Sequence, residues 1–491
     1  MKALVDTLIV GGPVMTMNPD HCIFDPGGVA VRGNGIIDVG LASELSRRYR
    51  GRKVINAFGK LTMPGLIDTY SHAGHGLIKA IHDVRRGWPA PDVYFHGTTG
   101  DWWYAEALLT AVERIRFGVT CGVTTIGATP ARTDDALFAF QNAAAVSESG
   151  LRAMIGVGPP ILFASQPYTA TRWHQGESVT KTYTYEDTME QTRRVIEECH
   201  RPESGMLQVF LAMPHLLGQH IPGEGRHESV PVFPESDIPL IIAKAEEARQ
   251  LADDYSVMIQ TSIRTDIIER ALQTMGRAKI LELLGPDVCV VHGNGFQASA
   301  IEILAETNTK VATAPSAPPN LLYGLCPVPP LIAAGVDVAI STDGNAPYFS
   351  MDLFKDLWRS LYLNWMEFGQ ESYPAGKALR MVTIDAARVI GMQDRIGSLE
   401  PGKLADIIMI DLNRPHLIPN AHLPQLVAYY VNGHDVDTVL VDGKILMQNR
   451  CLTEIDEESV MEMARVEARL AFERVDIDRF FQMSNDYWYG T

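Results

Sequence analysis

The sequence predicts an α/β protein: a (β/α)8 TIM-like barrel plus a small β-sandwich built from both chain ends. Three features of the 491 residues carry that prediction. Both ends show short apolar runs broken by turn signals. The long middle alternates apolar runs with helical stretches, the pattern of parallel βαβ units. A polar cluster follows the first of those middle runs, in Met63-Pro64-Gly65-Leu66-Ile67-Asp68-Thr69-Tyr70-Ser71-His72-Ala73-Gly74-His75. Chemistry just past the carboxyl end of a buried strand is where α/β folds place their sites.

Bulk properties narrow the class. A hydrophobic content of 46% with 21% charged residues suits a soluble, well-packed chain, and the length allows more than one domain. The formal charge of −17 argues against a nucleic-acid or anionic-membrane surface, which would need a basic patch. No run is apolar and long enough to span a membrane. Asp6 interrupts the would-be apolar stretch of a signal peptide. Cys22, Cys121, Cys199, Cys289, Cys326 and Cys451 form no Cys-x-x-Cys pair, which reads as reduced thiols in a cytoplasmic protein.

Taken in order, residues 1–60 hold Leu8-Ile9-Val10 before Gly11-Gly12-Pro13, and Val29-Ala30-Val31 before Gly33-Asn34-Gly35. That is a small β unit with tight turns. Residues 61–394 supply eight expected strands, at 64–69, 123–127, 151–157, 206–212, 257–262, 288–292, 310–313 and 336–341, with a helix expected from Gly76. Three long connections, 83–103, 159–185 and 213–235, read as binding loops; with Trp88, Trp102, Trp103 and Trp173 they would line an aromatic pocket. Residues 395–450 return to strands and turns, and 451–491, with Val460, Met461, Met463, Ala464, Val466, Ala468 and Leu470, read as an amphipathic helix packed on the body.

The Pro64–His75 stretch resembles the first-strand motif of the amidohydrolase superfamily, Pro-Gly-hydrophobic-hydrophobic-Asp/Asn-x-His-x-His, in which both histidines bind metal. Here the first is Tyr70 and the second His72; His75 follows one helical turn later. Val336-Asp337-Val338-Ala339-Ile340-Ser341-Thr342-Asp343-Gly344 resembles the family's eighth strand, whose aspartate binds metal and moves the proton of the attacking water. Val290-Val291-His292-Gly293 resembles its sixth, and Met213-Pro214-His215 the Pro-His of its triazine-hydrolase and purine or cytosine deaminase branch. At strand five the family has His-x-x-Glu, but this chain has Gln260 and Ile263. The missing glutamate protonates the ring in deaminases, so ordinary aromatic-ring deamination is not expected.

The resemblance implies a hydrolase of non-peptide C–N bonds in an amide, urea, carbamate or cyclic amidine of a small molecule. Asp343, His292 and Tyr70 are the expected catalytic residues; His215, His75, Gln260 and Trp88 would meet substrate. One divalent metal would sit on His72, His292 and Asp343, Zn first, with Fe, Mn or Co as alternatives and Tyr70 as a further phenolate ligand. The alternative is a metal-free relative, an isomerase, lyase or cyclase using Tyr70, His292 and Asp343 as acid and base. A homo-oligomer is expected from the same resemblance.

Overall fold

The computed structural model describes residues 2–81, 89–127, 132–158, 167–214, 216–218, 235–317, 324–346, 350–370, 372–481, 483 and 488–489. Eight short strands rich in β-branched and small residues form one parallel sheet, in chain order: β1 Leu66–Asp68, β2 Val119–Thr125, β3 Arg152–Val157, β4 Leu207–Ala212, β5 Ile259–Ser262, β6 Val288–Val291, β7 Lys310–Thr313 and β8 Val338–Ile340. The sheet curls into a nearly closed barrel. At the seam between β1 and β8, the Ile67 and Ile340 N–H groups donate to Val382 O (2.9 Å) and Met381 O (3.0 Å) of one intervening turn.

Alternate strand residues point inward, as the period of two demands. Ile67, Val123, Met154, Phe210, Val291, Ala312 and Ala339 meet in one buried cluster with Ala386, Val389 and Ile396 from the segment after the barrel. A Cβ on Gly156 would sit 2.3 Å from the Phe210 ring, so the glycine makes room for that ring in the barrel interior.

Two further sheets lie beside the barrel. One has four strands, all from residues 3–56; the other has seven and combines strands of both chain ends. In the second, Lys60–Pro64 pairs antiparallel with Ile407–Asp411. Ile9, Val29, Val31, Ile407, Met409 and Leu440 bury their side chains between the two sheets. Because Lys60–Pro64 runs directly into Gly65 and β1, the sandwich fixes where the first barrel strand begins.

The structure corrects several local expectations. Trp102 and Trp103 are fully buried on the helix Gly100–Arg116, where they pack against Tyr94 and Phe138, and do not line a loop. Thr99 caps that helix through the Trp102 N–H, and such a cap begins a helix wherever an oxygen can take the first free N–H groups. The expected 159–185 loop contains a hairpin, Tyr168–His174 with Glu177–Tyr183. Past Gly74, a single tight turn at His75–Leu77 replaces the expected helix. The C-terminal helix is shorter than read, Glu457–Arg474; it buries Val460, Ala464 and Ala471 and leaves Met463 exposed.

Barrel and sandwich are joined by a buried ion pair. Arg152 of β3 donates through Nε (2.8 Å) and Nη2 (2.9 Å) to both carboxylate oxygens of Asp406, and through Nη1 to Gly205 O (2.6 Å). Removing one member leaves an uncompensated buried charge, whereas removing both does not. Arg152→Met should therefore cost roughly 3–5 kcal/mol, read as a lower urea midpoint. Arg152→Met combined with Asp406→Leu should recover much of that loss, and a double variant no more stable than the single one would contradict this account.

Candidate active site

The polar residues that follow β1, β6 and β8 converge at the carboxyl end of the barrel. After β1 the chain stays beside β2: Thr125 N–H donates to Ser71 O (2.9 Å) and Ala73 N–H to Thr125 O (2.8 Å). That pairing sets His72 facing the barrel mouth. Its Nδ1 lies 2.7 Å from Gly127 O, which can only accept, so the proton sits on Nδ1 and Nε2 faces inward.

Nε2 of His72 is 2.7 Å from the Tyr70 hydroxyl and 3.5 Å from Asp343 Oδ1. His292 meets the Tyr70 ring edge-on, with centroids 5.1 Å apart, and the His75 ring lies 4.8 Å from that of His72. The structure thus brings together Tyr70, His72, His75, His292 and Asp343. Gln260 lies on the same cavity wall. His215 and Trp88 lie outside the described residues.

Two of these residues sit in a backbone conformation that side chains disfavour. Asp343 has φ 66° and His292 φ 68°, and neither is glycine. Residues held this way cluster at functional sites, where surrounding contacts over-determine them. For Asp343 those contacts are visible. Its N–H donates to Tyr70 O (3.1 Å), and the preceding Thr342 donates its N–H (3.0 Å) and hydroxyl (2.9 Å) to the buried Asp68 carboxylate. Gly344, at φ 131°, must be glycine, because a Cβ there would lie 2.3 Å from His75 Nδ1.

The helix Gly100–Arg116 supports the cluster from below. Glu106, Thr110, Glu113 and Arg114 share one helical face, three or four residues apart. Glu106 accepts from the Gly76 N–H (3.0 Å) and the Thr110 hydroxyl (2.7 Å). Glu113 accepts from Asn345 Nδ2 (3.1 Å) and the Met351 N–H (3.3 Å). Arg114 donates to Asp68 Oδ2 (3.1 Å), Ser71 Oγ (2.6 Å) and Thr124 Oγ1 (2.8 Å). One helix therefore holds the segments after β1 and β8 together. Nothing in the sequence marked Arg114 or Glu106 for this; Asp68 and Thr342 lay inside the quoted motifs and were given no role.

Burial and charge set the protonation states. Burial alone would raise the Asp343 carboxyl, but His292, His72 and His75 outweigh it and hold the group below its ordinary 3.8. Burial pushes the Tyr70 phenol well above 10.0, and the charge of Asp343 and a hydrogen bond with it push the same way. His75 and His292 are held below 6.5, chiefly by burial. At neutral pH the site is therefore an ionised carboxylate beside a protonated phenol and neutral imidazoles.

Gln260, where the family pattern has a histidine, donates Nε2 to Thr69 O (3.0 Å), and its buried Oε1 has no hydrogen-bond partner. It lines a cavity of about 30 Å³ with Tyr70, His72, Thr125, Thr261 and Ser262. That is space for a water molecule or so. The described wall also includes Ala212, Met213, Pro214 and Val291 and holds none of the tryptophans expected to line it.

The donors do not fit a resident divalent ion. His72 is oriented as metal-bound histidines are, with Nδ1–H on a carbonyl. A catalytic zinc site uses three protein ligands. The inward lone pair of His72, however, is bonded to the Tyr70 hydroxyl. Gln260 offers only a neutral oxygen. Among the described residues no three His, Cys, Asp or Glu side chains group to hold an ion.

Residues 61–446 match the family model of the amidohydrolase family. Over 476 residues the chain is 29% identical to a 5-methylthioadenosine/S-adenosylhomocysteine deaminase of Syntrophobacter fumaroxidans, covering 94% of this chain and 98% of that protein. It is 28% identical, with the same coverage, to a 5'-deoxyadenosine deaminase of Methanobrevibacter smithii. Among solved structures, an adenosine deaminase from Xanthomonas campestris with bound zinc superposes with a TM-score of 0.78 at 20% identity, over 96% of this chain and 100% of that one. An atrazine chlorohydrolase from Arthrobacter aurescens complexed with zinc gives 0.73 at 19%, over 94% and 100%. The expected hydrolase class, acting on non-peptide carbon–nitrogen bonds, is the class of these curated relatives, and zinc is present in these solved neighbours. None of the described helices is long and apolar enough to cross a membrane. The chain belongs to the amidohydrolase family.

Proposed function

We propose that this protein hydrolyses a carbon–nitrogen bond, other than a peptide bond, in a small amide, urea, carbamate or cyclic amidine. The observation that carries the reading is Asp343: an ionised carboxylate at the carboxyl end of β8, 3.5 Å from His72 Nε2 and surrounded by three histidines. A general base needs to be ionised and within reach of the water it activates. The small cavity beside Tyr70 and His72 gives that water a place.

Asp343 takes a proton as the water oxygen bonds to the substrate carbon. His292 stabilises the oxygen on which negative charge develops, and donors already in position stabilise such charge strongly. Collapse breaks the C–N bond, and the amine leaves with the proton returned by Asp343. The solved neighbours are complexed with zinc; every step written here uses groups of this chain.

The curated relatives named above are deaminases of adenosine-type compounds. A nucleoside-like substrate suits the likeness, but Ile263 is buried where the family pattern places the ring-protonating glutamate. This favours cleavage at a carbonyl-like carbon over deamination of an aromatic ring. The contact between Tyr70 and His72 supports a second reading, non-hydrolytic acid–base chemistry such as isomerisation.

A panel of ureas, amides, carbamates and cyclic amidines, run in 18O-labelled water, separates the two. Hydrolysis should place one solvent oxygen in the product; conversion without label would favour the second reading. On the substrate found, Asp343→Asn should lower kcat/KM by about 10²–10⁴-fold with the thermal midpoint kept, the range for a positioned base. A variant with near-normal turnover would remove Asp343 from this role.

The pH profile follows from the same protonation states. The base is active when ionised and its carboxyl lies below 3.8, so Asp343 imposes no loss near neutrality. His75 and His292 are neutral above 6.5, and the phenol keeps its proton up to at least 10.0. Thus kcat/KM should be level from about pH 7 to pH 9. An alkaline limb inside that window would contradict a phenol held well above its ordinary range.

A further inference from the structure

We infer that the Tyr70 hydroxyl and the Gln260 amide have taken over the places of the family's ion, so that this site reads its substrate by hydrogen bonds without a resident divalent metal. The two substitutions fall at the two histidine positions where the family motif departs in this chain, just after β1 and on β5. In the fold they reach the same small cavity. The phenol bonds the one inward nitrogen, His72 Nε2, at 2.7 Å. A cation there would have to displace it.

Gln260 supplies the complementary half. Its Nε2 is committed to Thr69 O at 3.0 Å, which fixes the amide so that Oε1 is the free acceptor. Gln260 is 7% exposed, and an acceptor buried that deeply without a partner costs free energy until a donor reaches it. The Tyr70 hydroxyl already gives its proton to His72 Nε2, so the group left to read the substrate on this cavity wall is Gln260 Oε1. An acceptor of that kind suits the N–H of a –CO–NH– unit. Such a unit occurs in amides, ureas and cyclic imides. An ester, which lacks the N–H, would leave Oε1 unsatisfied. A site built to bond an N–H rejects the analogue lacking it far more strongly than an apolar pocket could.

The metal half of this inference stands on the donor geometry; the substrate half rests on the hydrolytic reading above. The experiment keeps them apart. The full-length protein, purified without chelator, is assayed by elemental analysis and then by equilibrium dialysis against ZnCl2, beside Asp343→Ala, Tyr70→His/Gln260→His, and the latter with Asp343→Ala added. The native chain should hold well under one ion. The double variant should gain about one zinc per chain, lost again in the triple variant, as expected when ligands are restored. About one ion per native chain, absent from Asp343→Ala, would overturn the metal half; the native arm decides even if the double variant fails to fold.

For the substrate half, Gln260→Leu should raise KM for a –CO–NH– substrate at least tenfold and leave KM for the matching ester unchanged. Equal effects on both would overturn it. Absence of turnover on every C–N substrate would instead reject the hydrolytic reading, with the zinc result unaffected.

Discussion

The Asp68 carboxylate, fully buried beneath the barrel mouth, is the group on which the site's geometry depends. It joins three parts of the chain: its own strand β1, Thr342 after β8, and Arg114 on the helix Gly100–Arg116. These are the elements on either side of the barrel seam, where no strand ladder exists to fix their spacing. Burial raises the Asp68 carboxyl, and Arg114 with the two Thr342 donors works against that shift. Removing any one of these partners would leave a buried polar group short of a hydrogen bond, which is expensive. The arrangement is correspondingly rigid. That rigidity holds Asp343, one residue beyond Thr342, at a positive φ and aims its carboxylate at His72.

Much of this architecture could be read from the sequence because it is periodic. Eight apolar runs with helical spacers can bury both faces of a parallel sheet in few ways, and the run at 310–313 coincides with its strand to the residue. The hairpin at 168–183 and the burial of Trp102 and Trp103 could not be read in this way. A pair of tryptophans at a loop–helix boundary has no period of its own, and only the neighbouring Tyr94 and Phe138 make it core. The site divides similarly. Tyr70, His72, His292 and Asp343 each follow a strand and were legible. Arg114 and Glu106 act across 30 residues or more of chain, from inside a helix whose sequence looks like any other amphipathic segment.

The substitutions at strands one and five gain meaning only in three dimensions. In sequence, Tyr70 and Gln260 are two lost histidines 190 residues apart, which reads as decay of a metal site. In the fold they share a wall, and each keeps a defined partner: the phenol on His72, the amide on Thr69 O. Random loss of ligands would leave unpaired polar atoms or a collapsed apolar pocket. Here Gln260 keeps one unpaired atom, Oε1, on a residue that lines the cavity.

That observation bears on how a family can change its chemistry while keeping its frame. The support beneath the site, Asp68 with Thr342 and Arg114, acts on backbone positions and does not touch what occupies the centre. It holds Asp343 and His72 in place whether a cation or a phenol lies between them. A cation stabilises charge from any direction, whereas a phenol and a carboxamide act along fixed bond directions. Exchanging one for the other narrows the substrates to those whose groups match those directions. Selectivity would then come from the same two residues that remove the ion, with no change needed in the barrel that carries them.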